Sequence, residues 1–576
     1  MRDKDDLSRR PGERRDRRPG RRPGWRFALG ITGMIVFIIL NVQPYGGNPD
    51  DAGREAKENP VDLREAEQAA ERFLREAVLP DGWNVFAYFQ SNTDLAGYLY
   101  ENGLMDEYME TFGELIPVDY FQVEAVHRRT GAVYLVDVHP GSGRVAAYRQ
   151  VSADSAAPGT PNHPEEKELS GGGRQPDDEK RALQFLNTRG FDPAALRLAN
   201  PGEKDGELLF VHEKSAVGEA RLLVSVRMEN GGVVSFEPVF SLPDTYWKRQ
   251  DRREASQALA SLLSLLLSAV LGIAAVVRTA ALRGSIDFRR GIVVTIIYVA
   301  IAIHYNYNSL PGYKAMAAEG LMAGELSAVA AASEIRFNIM FANIFAMATG
   351  VVMYLSLVSG DAAWRLTGRQ PWARWKEPDY GDRLKAAVNN GYAWGLFLLG
   401  AQSAVFWILD RMFGIWATND PIYSPFNLLF PALFPLMAWA AALSEEAIYR
   451  LFAIRFLENM LRSRAAAVIL SSMIWAVAHL GYPVYPPYTR FVEVTLLGLV
   501  LGWVFLRYGF ITAVFAHAVV DCVLMGLSLF EFGNPELMMI GILYMLSPAA
   551  AGWLIARLHD RLGPRIPPSP APPPAP

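Results

Sequence analysis

Long apolar runs recur along the chain with polar loops between them, a pattern that predicts membrane helices. The runs lie at about 27–42, 255–277, 291–304, 338–358, 388–409, 428–452, 465–480, 491–506, 511–529 and 538–556. A helix of ~20 apolar residues crosses the ~30 Å hydrocarbon core, so the pattern predicts about ten spans. Pro431 and Pro435 interrupt the sixth run, which places its helix at about 436–460. Residues 44–250 contain no such run and alternate instead. Tyr134–Tyr148 (YLVDVHPGSGRVAAY) aligns without gaps on Leu222–Phe236 (LLVSVRMENGGVVSF). Each copy reads as strand, Gly-containing turn and strand, a hairpin. A helical pattern precedes each, AERFL at 70–74 and ALQFL at 182–186, and the Pro/Gly/Ser-rich stretch Ser152–Asp178 reads as a linker. The expected fold is an α-helical polytopic membrane protein with an inserted α+β domain.

Composition agrees. The chain is 51% hydrophobic with a mean hydropathy of +0.09, which argues against a soluble multidomain protein and against a mainly disordered one. The single cysteine, Cys522, excludes intrachain disulfides and multi-thiolate metal sites. The formal net charge of −4 is a cancellation. Residues 1–26 carry a net +6 and residues 44–250 a net −14. The basic tail precedes an uncharged run, so it reads as a cytoplasmic flank of an anchor and not as a nucleic-acid-binding arm. No A-x-A-like site follows that run, which therefore reads as an uncleaved anchor.

Basic residues also follow alternate runs: Arg278–Arg290, Arg365–Lys385, Arg455–Arg464, Arg507 and Arg557–Arg565. Under the positive-inside rule both termini are cytoplasmic and 44–250 lies outside the cytoplasm of a multi-pass cell-membrane protein. The chain divides into a disordered basic tail (1–26), a first anchor (27–43), an extracytoplasmic α+β domain (44–250), three spans with their loops (251–385), a six-span core (386–557) and a Pro-rich cytoplasmic tail (558–576).

Three groups of polar residues interrupt the last spans. They are Glu445-Glu446-x-x-x-Arg450, Trp475-x-x-x-His479 and His517-x-x-x-Asp521. An ionised side chain at the centre of a spanning helix costs about 2.5–3.5 kcal/mol on insertion scales, so these groups are expected to face one polar cavity. Glu446 and Arg450 share a helix face and can pair. Glu445 is rotated by about 100° toward another neighbour. His517 and Asp521, four apart, can hydrogen-bond. Carboxylates and imidazoles so gathered can activate water as a general base with orienting partners, or they can bind a metal such as zinc. The absence of H-E-x-x-H excludes the usual single-helix zinc protease signature.

E-E-x-x-x-R, aromatic-x-x-x-H and H-x-x-x-N/D on successive apolar helices resemble the CPBP intramembrane proteases (CAAX prenyl proteases, bacteriocin-processing and Abi-like proteins). The resemblance covers about 390–556. It implies hydrolysis of peptide bonds in membrane-associated peptide or protein substrates. It implies that Glu445 activates water and His479 shares that water, that Glu446 and Arg450 support them, and that His517 and residue 521 stabilise the oxyanion. A metal-bound alternative would use Glu445, His479 and His517. The sequence departs from the pattern twice. Trp475 replaces the commoner Phe, a change expected to affect packing only. Asp521 replaces Asn, and an ionised Asp cannot donate to an oxyanion, so Asp521 is expected to orient and charge His517. The two helix-plus-hairpin units resemble PepSY-type modules.

The alternative functional class is a non-proteolytic membrane scaffold or transporter whose exported domain binds a partner. The remaining candidates read as ordinary residues. His127, His139, His163 and His212 fit no metal spacing, His304 and Glu493 read as interfacial, and His559 has no evident role. Asn389 and Asn390 are expected either to cap the fifth span or to line the cavity. Cys522, beside Asp521, is a poor nucleophile.

Overall fold

The computed structural model describes residues 24–42, 62–78, 82–151, 177–201, 207–229, 231–323, 326 and 328–564. The basic tail up to residue 23, His163, most of the 152–178 linker and the Pro-rich end lie outside the described residues. Helix α1 (Gly24–Val42) matches the first apolar run. After it comes a domain built on one eight-stranded antiparallel sheet. Its elements are α2 (Leu63–Ala77), β1 (Trp83–Ser91), α3 (Thr93–Asn102), α4 (Met105–Phe112), β2 (Asp119–His127), β3 (Val133–Val138), β4 (Val145–Val151), α5 (Asp178–Thr188), β5 (Leu196–Pro201), β6 (Glu207–Val217), β7 (Ala220–Glu229) and β8 (Gly232–Ser241).

The sheet order is β1-β2-β3-β4-β8-β7-β6-β5, which makes the internal repeat visible as symmetry. The aligned segments are the β3–β4 and β7–β8 hairpins, and the two halves meet where β4 pairs with β8. There Tyr148 stands opposite Phe236, and these are the residues that end the two aligned copies. Equivalent residues facing each other across an antiparallel pair place a pseudo-twofold axis at that point. The repeat unit is larger than a helix and a hairpin: each half supplies a helix and four strands. The helices cover one face. Ala66, Ala69, Ala70 and Leu74 of α2 recur at helical spacing and are buried, as are Ala182 and Leu186 of α5. The start of α2 is fixed by a capping box between Asp62 and Glu65.

The rest of the described chain is helical apart from a small antiparallel pair of strands, Trp416–Ala417 with Val484–Tyr485: α6 (Asp244–Ala281), α7 (Ile292–Asn308), α8 (Leu310–Ala323), α9 (Ala328–Arg365), α10 (Tyr380–Phe413), α11 (Leu436–Glu445), a π-helical segment (Glu446–Ala453), α12 (Ile454–Leu461), α13 (Arg464–Val477), α14 (Pro487–Tyr508), α15 (Phe510–Ser528) and α16 (Pro535–Leu562). Each predicted apolar run falls on a helix. Among the described residues seven helices are long and apolar enough to cross a membrane, or eight if α7 and α8, bent by 46° at their junction, count as one broken span. Two predicted spans take other forms. The sixth is a rod interrupted by the π segment, and the seventh is the short α13. The break before α11 is a 3-10 turn at Pro431–Leu433. Helix α1 packs along α10 so closely that a methyl group on Gly400 would stand 2.2 Å from the carbonyl oxygen of Gly33, a contact only glycine permits.

The sheet domain is seated on the helical part. An unpaired sheet edge exposes backbone donors and acceptors, and here β1 finds its partner in a side chain. Asn427 accepts from the Phe89 N–H at 2.7 Å and donates to the Phe89 carbonyl at 2.8 Å. Phe426 packs on Phe89 and on Phe532 beyond α15, and Asn419 donates to Asp119 at 2.8 Å. These contacts hold the α10–α11 connection that leads into the polar cluster.

Candidate active site

Three helical elements bring the polar groups together. The first is the α11–π–α12 rod. Winding changes from α to π at Glu446, immediately after Glu445. A π segment carries one extra residue per turn and often marks a functional site. The second element is α13, which is only 14 residues long, about 21 Å. Its last turn carries Trp475, which meets Glu445 through its indole and His479, just beyond the helix, through its carbonyl. The third element is α15, which carries His517 and Asp521 one turn apart.

His517 is the centre. Its Nδ1 lies 2.9 Å from Glu446 Oε1, while its Nε2 lies 3.3 Å from Asp521 Oδ2 and 3.9 Å from Glu445 Oε2. Glu445 and Glu446 thus approach opposite edges of the same ring. Glu446 also pairs with Arg450 at 3.1 Å, with side chains 0% and 2% exposed. Glu445 and Asp521 are different: their side chains are 24% and 20% exposed. Glu445 and Asp521 are therefore partly exposed, while Glu446 and Arg450 form a buried pair behind them. Since a carboxylate only accepts, Nδ1 of His517 carries the proton it shares with Glu446.

His479 Nδ1 stands 2.9 Å from the Trp475 carbonyl. A carbonyl also only accepts, so Nδ1 is protonated and the lone pair of a neutral His479 lies at Nε2. The two aromatic groups pack edge to face, with centroids 5.0 Å apart.

Two expectations are corrected. Trp475 does more than pack. Its Nε1 donates to Glu445 Oε2 at 2.5 Å, and its ring lies 4.1 Å from the Arg450 guanidinium carbon. A buried indole N–H requires an acceptor, which is the signal in the sequence that Phe could not carry. Trp475→Phe is expected to lower turnover roughly 10- to 100-fold, the worth of one hydrogen bond to a charged group. Comparing kcat with KM checks this, with the loss expected in kcat. Glu493 is not interfacial. It is fully buried and bonded to Arg490 at 2.8 Å, and Arg490 lies over Tyr482, which stacks on His479. This pair packs behind the histidine, where sequence spacing alone gives no sign of it. Asn390, left between two readings, accepts from Arg26 of α1 at 2.9 Å, and α10 begins well before it. Cys522 is buried beside Ser547.

The donors do not converge on an ion-sized point. Both ring nitrogens of His517 already face carboxylates, and among the described residues no group of three His, Cys, Asp or Glu is arranged to hold a metal ion. The arrangement as it stands suits proton transfer: a partly exposed carboxylate held by one donor, next to an imidazole braced by a buried ion pair.

Comparison with known proteins covers the same region. Residues 427–523, which span all three groups, match the family described as Type II CAAX prenyl endopeptidase Rce1-like. This part of the chain is similar to that family. The chain is also similar to the sporulation-killing factor biosynthesis protein SkfC of Bacillus subtilis (strain 168). The two are 22% identical over 522 residues, covering 88% of this chain and 95% of that protein. No solved structure matches the chain. The matched stretch begins at Asn427, the residue that grips the β1 edge, so the sheet domain is bonded directly to the first residue of the match.

Proposed function

We propose that this protein is an intramembrane endopeptidase in which Glu445 activates water for attack on a peptide bond of a membrane-associated substrate. The observation that carries the reading is the division of the carboxylates. Glu445 is partly exposed and held at one oxygen, whereas Glu446 is sealed against Arg450 and His517. In this scheme Glu445 takes the proton as general base. His479, with its lone pair at Nε2, accepts a hydrogen bond from the same water. Asp521 and Glu446 flank His517 on opposite edges and orient its ring, so that an N–H of the ring can stabilise the oxyanion. Trp475 fixes the carboxylate of Glu445. No metal takes part in this scheme.

The same reading places both termini in the cytoplasm and residues 44–250 outside it. The basic loops at 365–385 and 455–464 and Arg507 lie at the helix ends remote from the sheet domain, which agrees with positive-inside orientation. Such an orientation gives the exported domain no direct role in the chemistry; its seat on the α10–α11 connection supports a role in holding Glu445 in place.

The test is peptide release from membranes containing wild type or His479→Ala, each with and without a chelator. The reading expects activity to fall about 10²-fold or more in His479→Ala and to be unchanged by the chelator. Loss of wild-type activity on chelation, restored by zinc, would transfer the water to a metal.

A further inference from the structure

At the end of the helical part remote from the sheet domain is a cavity of about 460 Å³. It lies between the α9–α10 loop and the sharp turn joining α14 to α15. Helix α10 begins beside it and ends next to Trp416, which packs against Tyr100 of the sheet domain. At 1.5 Å per residue, its 34 residues separate cavity and sheet by about 50 Å.

The lining is of two kinds. Trp364 and Phe505 form a buried apolar floor, and Arg369, Arg383 and Arg507 stand at the exposed rim beside Tyr508. The three cations are not equivalent. Arg383 pairs with Glu377. Among the described residues no carboxylate pairs with Arg369 or Arg507, whose guanidinium groups lie only over the rings of Trp364 and Tyr508. The neighbouring Arg290, Arg365 and Arg374 all converge on Asp361, so the nearby acid is already shared three ways. A concave site therefore carries two uncompensated cations above an apolar floor, at the end of several spanning helices. Cations so placed attract anionic groups, and guanidinium forks suit phosphate oxygens.

We propose that this cavity binds a phosphate-bearing anionic group, in a membrane the headgroup of an anionic phospholipid, with Arg369 and Arg507 on the phosphate and the start of an acyl chain against Phe505 and Trp364. The site also touches the chemistry indirectly. Trp364 donates from Nε1 to the carbonyl of Leu451 at 2.8 Å, within the π segment that carries Glu446 and Arg450. The proposal does not depend on the protease reading.

The test uses the full chain purified in non-ionic detergent, with bound lipid counted by native mass spectrometry. Phosphatidylglycerol and phosphatidylcholine with the same acyl chains are titrated separately, and inorganic phosphate in a third arm. The expected result is a preference for phosphatidylglycerol on the order of 10-fold. The preference is lost in R369Q/R507Q and kept in R369K/R507K, which retains the charge and controls for folding. Phosphate binding with the same arginine dependence, without a lipid preference, assigns the site to a soluble phosphate group. Equal binding of both lipids with no phosphate binding, or a preference that survives R369Q/R507Q, overturns the proposal.

Discussion

Glu445→Gln is expected to lower peptide release by about 10²- to 10⁴-fold, the usual contribution of a positioned general base. The substitution keeps size and shape, and the Trp475 N–H can still reach the amide oxygen in place of the carboxylate oxygen it bonds at 2.5 Å. What is lost is the capacity to take a proton. Because the Glu445 side chain is 24% exposed, exchanging it buries no new polar group, and the variant should fold and accumulate as wild type does. Activity lost with thermal stability unchanged is the signature. Glu446→Gln is the contrasting case, since Glu446 holds both Arg450 and His517, and its loss should reduce stability and activity together.

The second large effect concerns stability. Arg450→Met should destabilise the protein by about 3–5 kcal/mol, because removing one partner of a buried ion pair leaves the other charge uncompensated. The partner here is Glu446, which is 0% exposed and 3.1 Å away. The change also removes the cation from the face of Trp475. Arg450→Met combined with Glu446→Gln should recover much of the stability, since neither charge then remains. It should recover none of the activity, because His517 Nδ1 loses its carboxylate. Thermal unfolding of the three variants in detergent, read beside cleavage, separates the two roles. Equal stability of Arg450→Met and wild type would mean that the pair holds nothing.

Much of this site was legible in the chain, for a local reason. Apolar runs, the four-residue spacings and the gapless hairpin repeat are properties of short windows, and charges among apolar residues stand out because lipid makes them costly. What could not be read depends on partners distant in sequence. The Phe89–Asn427 contact that fills the β1 edge joins residues 338 apart. The π winding from Glu446 has no signal in the local sequence EAIYRLFA, whose residues also suit an ordinary helix. The donor role of Trp475 rests on which side chain its N–H meets, and the burial of Glu493 on Arg490 lying over Tyr482. The sixth span was legible in its start, from Pro431 and Pro435, but not in its interruption. The pseudo-twofold axis at Tyr148 and Phe236 was implicit in the aligned repeat, yet only the β4–β8 pairing joins the halves into one sheet.

The most direct test of the central claim, hydrolysis by water that Glu445 activates, is cleavage in ¹⁸O-labelled water. Membranes containing wild type or Glu445→Gln are incubated in it, and the released peptides are analysed by mass spectrometry. The account predicts one ¹⁸O in each new C-terminal carboxylate with wild type and no labelled peptide above background with Glu445→Gln. Labelled peptides released equally by both proteins would contradict it.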